Sequence, residues 1–323
     1  MEPITRSVPV LGHAIRQPYL IPPPPIATCE QGGGECLVTV QELGCTSLRI
    51  TLESATAMKT HASIPAGRYV EELLGQGRVT FTREEAQRRL GRSQAATYMA
   101  LHRLVKACGL VAPRSGFYVI VDPQHRAAGT LPPEWFIHDL MKHMNRPYYV
   151  GLLSAAQLHG AAHHRPQEFQ VIVPQRTVRP VRAGNVRIRF YGKGIFDRSQ
   201  TQEAKTPTGL MRVATPETTA WDLVRYFKAA GGLENIVTVL SELAERIDAK
   251  KLRDTVKRHG EVLVAQRLGY LLDQAGRRGL TRGLSDWIAD APLRPLDPGA
   301  PIGNASESRK WHLLVNVQLE PEA

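Results

Sequence analysis

The sequence predicts an α+β protein: an N-terminal winged helix-turn-helix followed by a larger α+β domain with a small sheet and a helix-rich C-terminal part. Three observations support this prediction. Two amphipathic helical patterns meet at a Gly-Arg-Ser corner at 91–93, and a β-rich pattern follows them at 110–123. Further along, strand patterns come before a run of helical patterns, and the 323 residues are enough for two ordinary domains.

Charge and composition divide the chain into three expected domains, 1–57, 58–127 and 128–323. The middle one has 11 basic and 5 acidic side chains, a net charge of +6 in a short stretch. The whole chain has a formal net charge of +11, which favours a polyanionic partner such as nucleic acid or an anionic membrane surface. We expect the nucleic-acid contact in the middle domain.

Residues 1–57 show no sustained hydrophobic period and contain four prolines at 22–25 and three glycines at 32–34. We expect most of this zone to be poorly ordered; a strand pair of 37–40 with 48–52 is the alternative.

Met58 directly precedes the first clear helical pattern. One hypothesis is therefore that translation begins at Met58 and that the zone before it is a mis-annotated extension. The intact mass of the native protein tests this hypothesis, because a species that contains the proline run would contradict it.

Residues 65–74 predict the first helix. Thr82 is the expected N-cap of a second helix, and Glu85 three residues later completes a capping-box pattern. This helix extends to about Leu90, after which Gly91 turns the chain.

Ser93 is the expected N-cap of a third helix, whose polar front residues are Gln94, Thr97 and Tyr98. A recognition helix enters the major groove by its N-terminal end, where polar groups reach base edges and the positive helix end meets phosphate. We therefore expect double-stranded DNA as the partner. The residues expected to pack inward on the opposite face are Ala96, Ala100, Leu104 and Cys108, helped by Leu101 and Val105.

The β-rich pattern at 110–123 fits two short strands joined at 113–116, the arrangement of a wing. Its tip could reach the DNA backbone or the minor groove. A three-helix unit with a hairpin can also serve for packing or protein contact alone, and this alternative stays open. The expected DNA-contacting residues are Arg92, Ser93, Gln94, Thr97, Tyr98, Arg103, Lys106, Arg114 and Ser115.

The rest of the chain alternates strand and helix patterns before it becomes helix-rich. Thr215 is an expected N-cap with Pro216 at the first helical position, and Gly192–Gly194 is expected to be a turn. The expected helices are 132–144, 151–160, 216–226 and a helix-rich run after 233; the expected strands are 169–174, 186–192, 209–216 and 311–317.

Motifs of catalysis are absent from the sequence: it has no GxSxG, no GxxxxGK[ST] and no GxGxxG after a strand. His138 and His143, and likewise His159, His163 and His164, have no acidic or cysteine partner that completes a metal set. We interpret these histidines as exposed loop residues. We expect no catalytic residue, no metal and no cofactor, so that the chain is not an enzyme.

No apolar run approaches the roughly 18–20 residues that a membrane span needs, and the start lacks the pattern of a secretory signal. Four cysteines are too few for a disulfide scaffold. We therefore expect a soluble, cytoplasmic protein with no membrane partner.

Five phrases of the sequence, taken in order, carry a resemblance to a known family. Together with the predicted winged helix, their order resembles the AbiEi-type antitoxins of abortive-infection, or type IV, toxin–antitoxin systems, over roughly residues 62–318. The phrases are YYVGLLSAAQLHG at 148–160, QEFQVIVP at 167–174, RIRFYG at 187–192, LMRVATPETTAWDLVRY at 210–226 and WHLLVNV at 311–317.

The resemblance implies a bacterial repressor of its own operon, whose winged helix binds promoter repeats. It also implies that the C-terminal domain counteracts a neighbouring toxin of nucleotidyltransferase fold, without necessarily forming a stable complex with it. No Gly-Ser followed by paired aspartates is present, so transferase activity is not implied. The alternatives are a nucleotide-processing enzyme, or a protein-contact adaptor, with an accessory winged helix.

Overall fold

The computed structural model describes residues 29–32, 35–38, 64–161, 166–174 and 178–319. The chain divides into two compact units, 1–61 and 62–323. Contacts thus place the second and third expected domains in a single unit, and the domain boundaries stay predictions. The protein is α+β, as predicted.

The first unit contains one described hairpin, in which β1 (Cys29–Gly32) pairs antiparallel with β2 (Glu35–Val38). The expected strand at 37–40 overlaps β2 only in part. Its expected partner at 48–52 and the proline run lie outside the described residues.

Residues 64–122, which we call the three-helix unit, contain the helices and the hairpin that the sequence predicts. Tyr69 of the first helix contacts Phe81 edge-on, and Phe81 stacks on Tyr118, with ring centroids 5.4 and 5.3 Å apart. The elements are α1 (Ala66–Gly75), β3 (Thr80–Thr82), α2 (Arg83–Leu90), α3 (Gln94–Lys106), β4 (Leu110–Arg114) and β5 (Phe117–Ile120), with the strands in the order β3-β5-β4.

The larger part, residues 123–319, is built on a mixed six-stranded sheet. Its strands are β6 (Tyr149–Val150), β7 (Glu168–Pro174), β8 (Val181–Ala183), β9 (Val186–Lys193), β10 (Thr201–Thr206) and β11 (Gly209–Ala214), in the order β10-β11-β6-β7-β9-β8. The sequence predicts β7, β9 and β11 but not the two-residue strand β6 or the strands β8 and β10.

Helices follow the sheet as predicted, and Thr215 accepts a hydrogen bond from the amide of Thr218 as the N-cap of the helix that starts at Pro216. A small three-stranded sheet ends the described chain. The helices are α4 (Ile137–His143), α5 (Leu152–Leu158), α6 (Pro216–Arg225), α7 (Leu233–Leu243), α8 (Ala249–His259), α9 (Val262–Gln274) and α10 (Leu284–Trp287); the strands are β12 (Arg294–Pro295), β13 (Ser306–Ser308) and β14 (Leu313–Val315).

Candidate nucleic-acid interface

The corner between α2 and α3 has the predicted caps. The hydroxyl of Thr82 accepts from the amide of Glu85, and the carboxylate of Glu85 accepts from the amide of Thr82, which forms a capping box. Gly91 ends α2 with a left-handed φ of 61°. The hydroxyl of Ser93 then accepts from the amide of Ala96 at 3.3 Å, so that α3 begins where the sequence predicts.

The buried face of α3 is turned by one position at the start of the helix, from Ala96 to Thr97. Ala100 and Leu101 are buried as predicted, and Leu104 and Val105 pack against the same core. Ala96, which we expected to be buried, is exposed. Buried positions on a helix recur every three or four residues, so a face centred on Leu101 includes position 97 and turns position 96 outward.

Thr97 is the one expected contact residue that the structure moves to the wrong side of α3. Its side chain is buried, with 0% exposure, and its Oγ1 has no hydrogen-bond partner among the described residues. The expectation that Thr97 contacts DNA is therefore wrong. Cys108 is likewise exposed rather than part of the core, because α3 ends at Lys106 and the chain turns with φ 55° at Cys108.

The other α3 side chains of the prediction are exposed: Gln94, Tyr98, Arg103 and Lys106. Tyr98 is 49% exposed and stacks on His102 with ring centroids 5.9 Å apart. Two further exposed residues, Met99 on α3 and Arg88 in the last turn of α2, were missed by the sequence analysis. Residue type gave no signal for Met99, because methionine is ordinarily a core residue.

Arg92 lies at the corner itself and is half-buried. Its Nη2 donates to the carbonyl of Ile64, which precedes α1, at 3.4 Å. Arg92 therefore ties the corner to the start of the three-helix unit. A cleft of about 510 Å³ beside it is lined by Glu84, Gln87, Arg88, Gly91 and Arg92.

The hairpin tip, residues 113–116, lies against the larger part instead of projecting freely as a wing. The Nη2 of Arg114 donates to the carbonyl of Arg179 at 3.3 Å, and the carbonyl of Ser115 accepts from the Nε2 of His143 at 3.2 Å. Gly116 is buried at the same contact. The larger part thus holds the tip through these two contacts, while the Ser115 side chain itself is exposed. Contact of the tip with DNA stays a prediction.

Two more contacts fix the three-helix unit to the larger part. The hydroxyl of Thr80 donates to the Oδ2 of Asp139 at 2.5 Å. Phe117 and Val119 of β5 belong to the same hydrophobic core as the six-stranded sheet. Both β3 and β5 of the three-stranded sheet thus contact the larger part.

The expected turn at Gly192–Gly194 is wrong for its first two residues, which belong to the end of β9. Lys193 there is part of a buried ionic cluster in the larger part. Lys193 ends β9 with a fully buried side chain. Its Nζ donates to the Oδ1 of Asp222 at 2.5 Å and to the hydroxyl of Tyr149 at 3.2 Å. The Tyr149 hydroxyl donates to the Oδ2 of Asp222 at 2.8 Å.

Burial shifts the ionisation of this cluster. It lowers the pKa of Lys193, an effect that the Asp222 carboxylate opposes, and it raises the pKa of Tyr149 well above its ordinary value. Because the side chains of Lys193, Asp222 and Tyr149 are all sealed from solvent, the cluster joins sheet to helix rather than offering groups to a dissolved substrate. The one sequence signal was the acidic Asp222 within the apolar helix pattern of α6.

One of the histidines expected to be exposed, His159, is buried, and so is His259, for which the sequence made no prediction. His159 is 9% exposed, and its Nε2 lies 2.8 Å from the carbonyl of Ala214. His259 stacks on Trp221, and burial together with the Lys193 charge lowers its pKa to about 3. His163 and His164 lie outside the described residues. Within the described ranges, no three His, Cys, Asp or Glu side chains form a possible metal site.

Part of the larger part matches a known protein family. Residues 149–274, from β6 to the end of α9, match the model of the AbiEi antitoxin C-terminal domain. The resemblance of these residues to the AbiEi antitoxins is confirmed. The AbiEi match thus includes the whole six-stranded sheet and the buried ionic cluster.

One solved structure shares the fold of most of the chain. The crystal structure of the RV2827C protein from Mycobacterium tuberculosis matches with a TM-score of 0.57 and 19% identity, over 77% of this chain and 90% of that chain. At this identity the match shows the fold alone. A comparison with curated proteins found no match. No helix in the described ranges is long and apolar enough to cross a membrane.

Proposed function

We propose that this protein is the antitoxin of a type IV toxin–antitoxin system, and that it represses its own operon by binding promoter DNA. The AbiEi match supports an antitoxin role. In this proposal the three-helix unit is a winged helix-turn-helix that binds repeats in the promoter. The AbiEi-like domain counteracts a toxin of nucleotidyltransferase fold, with or without a stable complex.

The observation that carries the DNA-binding proposal is the exposed side of α3. Gln94 and Tyr98 lie on it within the first two turns, and the helix contains no acidic residue. A glutamine amide can both donate to and accept from the edge of a base in the major groove. The positive end of the helix dipole lies at the same end of α3 and favours phosphate.

Basic side chains around this face fit the DNA backbone. Arg88 and Arg92 lie on the corner side, and Arg103 and Lys106 lie towards the C-terminal end of α3. Phosphate contacts of this kind position a protein on the duplex, while the α3 front distinguishes sequences.

Arg114 and Ser115 stay in the proposal as phosphate contacts at its edge. A guanidinium has five donors, of which the Arg179 carbonyl takes one, and the Ser115 side chain is exposed. In this proposal the hairpin, which contacts the larger part, lies beside the DNA major groove that α3 enters.

The test is binding of the full chain to the upstream region of its operon, measured by fluorescence anisotropy over a range of salt concentrations. Gln94→Ala is expected to cost about 1–3 kcal/mol of binding to the operator and less to random DNA. The exposed Gln274 at the end of α9 offers the matched control Gln274→Ala, which should bind like the wild type. Equal affinity of the wild type for operator and random DNA would defeat the proposal.

The antitoxin part of the proposal has a separate readout. Cells that express the neighbouring nucleotidyltransferase-like gene should recover growth when the full chain is supplied. Gln94→Ala should restore growth as well as the wild type, because the proposal places toxin neutralisation in the AbiEi-like domain. Loss of rescue in a stably folded Gln94→Ala protein would contradict that division of roles.

A further inference from the structure

A cleft of about 470 Å³ lies between the first turns of α9 and the segment 292–298. The helix contributes Val262, Leu263 and Arg267, and the opposite wall contributes Pro292, Arg294 and Pro295. The walls are mostly apolar, the two charged lining groups are both cationic, and no carboxylate lines the cleft among the described residues.

Arg267 is a buried cation with no carboxylate in contact among the described residues. The residue is only 7% exposed, and its Nη2 donates to the carbonyl of Pro295 at 3.3 Å. The guanidinium lies over the ring of Phe227, 5.6 Å from the centroid. Its Nε has no hydrogen-bond partner in the part of the chain that the structure describes.

Asp297 acts on Arg267 through its charge, without forming an ion pair with it. Burial lowers the pKa of Arg267, and Asp297 opposes this shift only through its field. The Oδ1 of Asp297 accepts from the amide of Gly299 at 2.7 Å. Lys193, the other buried cation discussed above, contacts Asp222 directly at 2.5 Å.

Buried charges are ordinarily paired, because an unpaired one loses its hydration without compensation. Arg267 departs from this rule, and it does so on the wall of an open cleft. Next to it, Gln266 is fully buried, and its Nε2 donates to the carbonyls of Pro292 and His312, each at 3.0 Å. Its Oε1 has no partner within the described ranges, so two polar groups at this site are incompletely satisfied.

We propose that this cleft binds a carboxylate attached to an apolar group. The carboxylate pairs with the guanidinium of Arg267, and the exposed Arg294 adds a second positive charge at the rim. The apolar group lies against Val262, Leu263 and the prolines. The ligand is either a small apolar acid or the C-terminal carboxylate of a peptide. The site is separate from the proposed DNA contact and does not depend on it.

The test is calorimetric titration of the full chain with hexanoate, and with hexanamide as the uncharged control of the same shape. Saturable binding of hexanoate, at least tenfold tighter than that of hexanamide, supports the site. Arg267→Met should abolish it. Arg294→Gln, at an exposed position, should weaken it severalfold and serves if Arg267→Met does not fold.

N-acetyl-leucine, compared with N-acetyl-leucinamide, distinguishes the two sources of carboxylate. Tighter binding of N-acetyl-leucine than of hexanoate indicates a peptide terminus, and the reverse order indicates a small acid. The proposal is overturned if neither acid binds saturably, if the uncharged controls bind as well, or if both arginine variants bind like the wild type.

Discussion

At the scale of single residues, burial shifts the pKa values of ionisable groups, and contacts with neighbouring groups oppose or add to the shift. Inside the larger part, the Asp222 carboxylate and the Tyr149 hydroxyl contact the Nζ of Lys193, and the carboxylate opposes the lowering of the Lys193 pKa by burial. The ring nitrogens of His259 have no hydrogen-bond partner among the described residues. Because burial lowers its pKa to about 3, this histidine is neutral near pH 7. The contribution of each group to stability therefore depends on its partner or on its protonation state: the Asp222 partner for Lys193, and the neutral form for His259.

Asp222→Asn is expected to destabilise the protein by about 3–5 kcal/mol, because it leaves Lys193 buried without its counter-charge. The midpoint of urea unfolding measures the change. The control Asp290→Asn, at an exposed position, should change stability by less than about 0.5 kcal/mol. Equal midpoints for both variants would contradict the assigned ion pair.

The stability contributed by His259 should fall as the pH falls. The unfolded chain takes up a proton on this histidine near its ordinary pKa of about 6.5, whereas the folded protein does so only near a pKa of about 3. Between these values the group costs up to about 1.4 kcal/mol per pH unit. His259→Gln should therefore lose less stability than the wild type between pH 6.5 and pH 4. Parallel pH profiles of unfolding free energy would contradict this.

At the scale of elements, local patterns predicted α3 well, but not its orientation. The caps Thr82 and Ser93 are short-range hydrogen-bond patterns, so the sequence determines where α2 and α3 begin. The face is decided by packing. Ala96 and Thr97 are both small, and a helical period allows either of them to be the buried residue. Because Leu101 packs against α1 and α2, Thr97 is the one that becomes buried.

Thr97→Val tests the corrected face of α3. Valine has nearly the shape of threonine and removes a buried hydroxyl that has no partner in the described structure. We expect a gain of about 1 kcal/mol in the free energy of unfolding, with DNA affinity unchanged. A drop in operator affinity without a change in stability would show that the hydroxyl faces DNA, as the sequence pattern first suggested.

Gly269→Ala tests the contact between α9 and the turn that joins β13 to β14. A Cβ at Gly269 would lie 2.0 Å from the ring of Trp311, which is buried. We expect a loss of about 1–3 kcal/mol or more, although alanine normally favours a helix. Gly67→Ala in α1 is the control, because its Cβ would meet nothing within 4 Å, and it should not destabilise. Equal stability of the two variants would contradict the contact.

At the scale of the whole molecule, the proposed DNA-binding unit and the AbiEi-like domain share one core. Thr80 bonds to Asp139 across 59 residues of sequence, and the hairpin tip bonds to Arg179 and His143. Contacts so distant in sequence leave no local pattern, which is why the sequence predicted the hairpin but not its contacts with the larger part. The order of the six-stranded sheet was beyond prediction for the same reason, since its strands β6, β8 and β10 carry little pattern of their own.

The central claim is that the exposed front of α3 enters the major groove of promoter DNA. Methylation interference on the upstream region tests it most directly, because methylation of guanine N7 places a methyl group in that groove. We predict that methylation at a few clustered guanines prevents binding of the wild-type protein, and that Gln94→Ala loses sensitivity at one of them. Full binding to DNA methylated at every guanine N7, or interference unchanged by variants of the α3 front, would contradict the account.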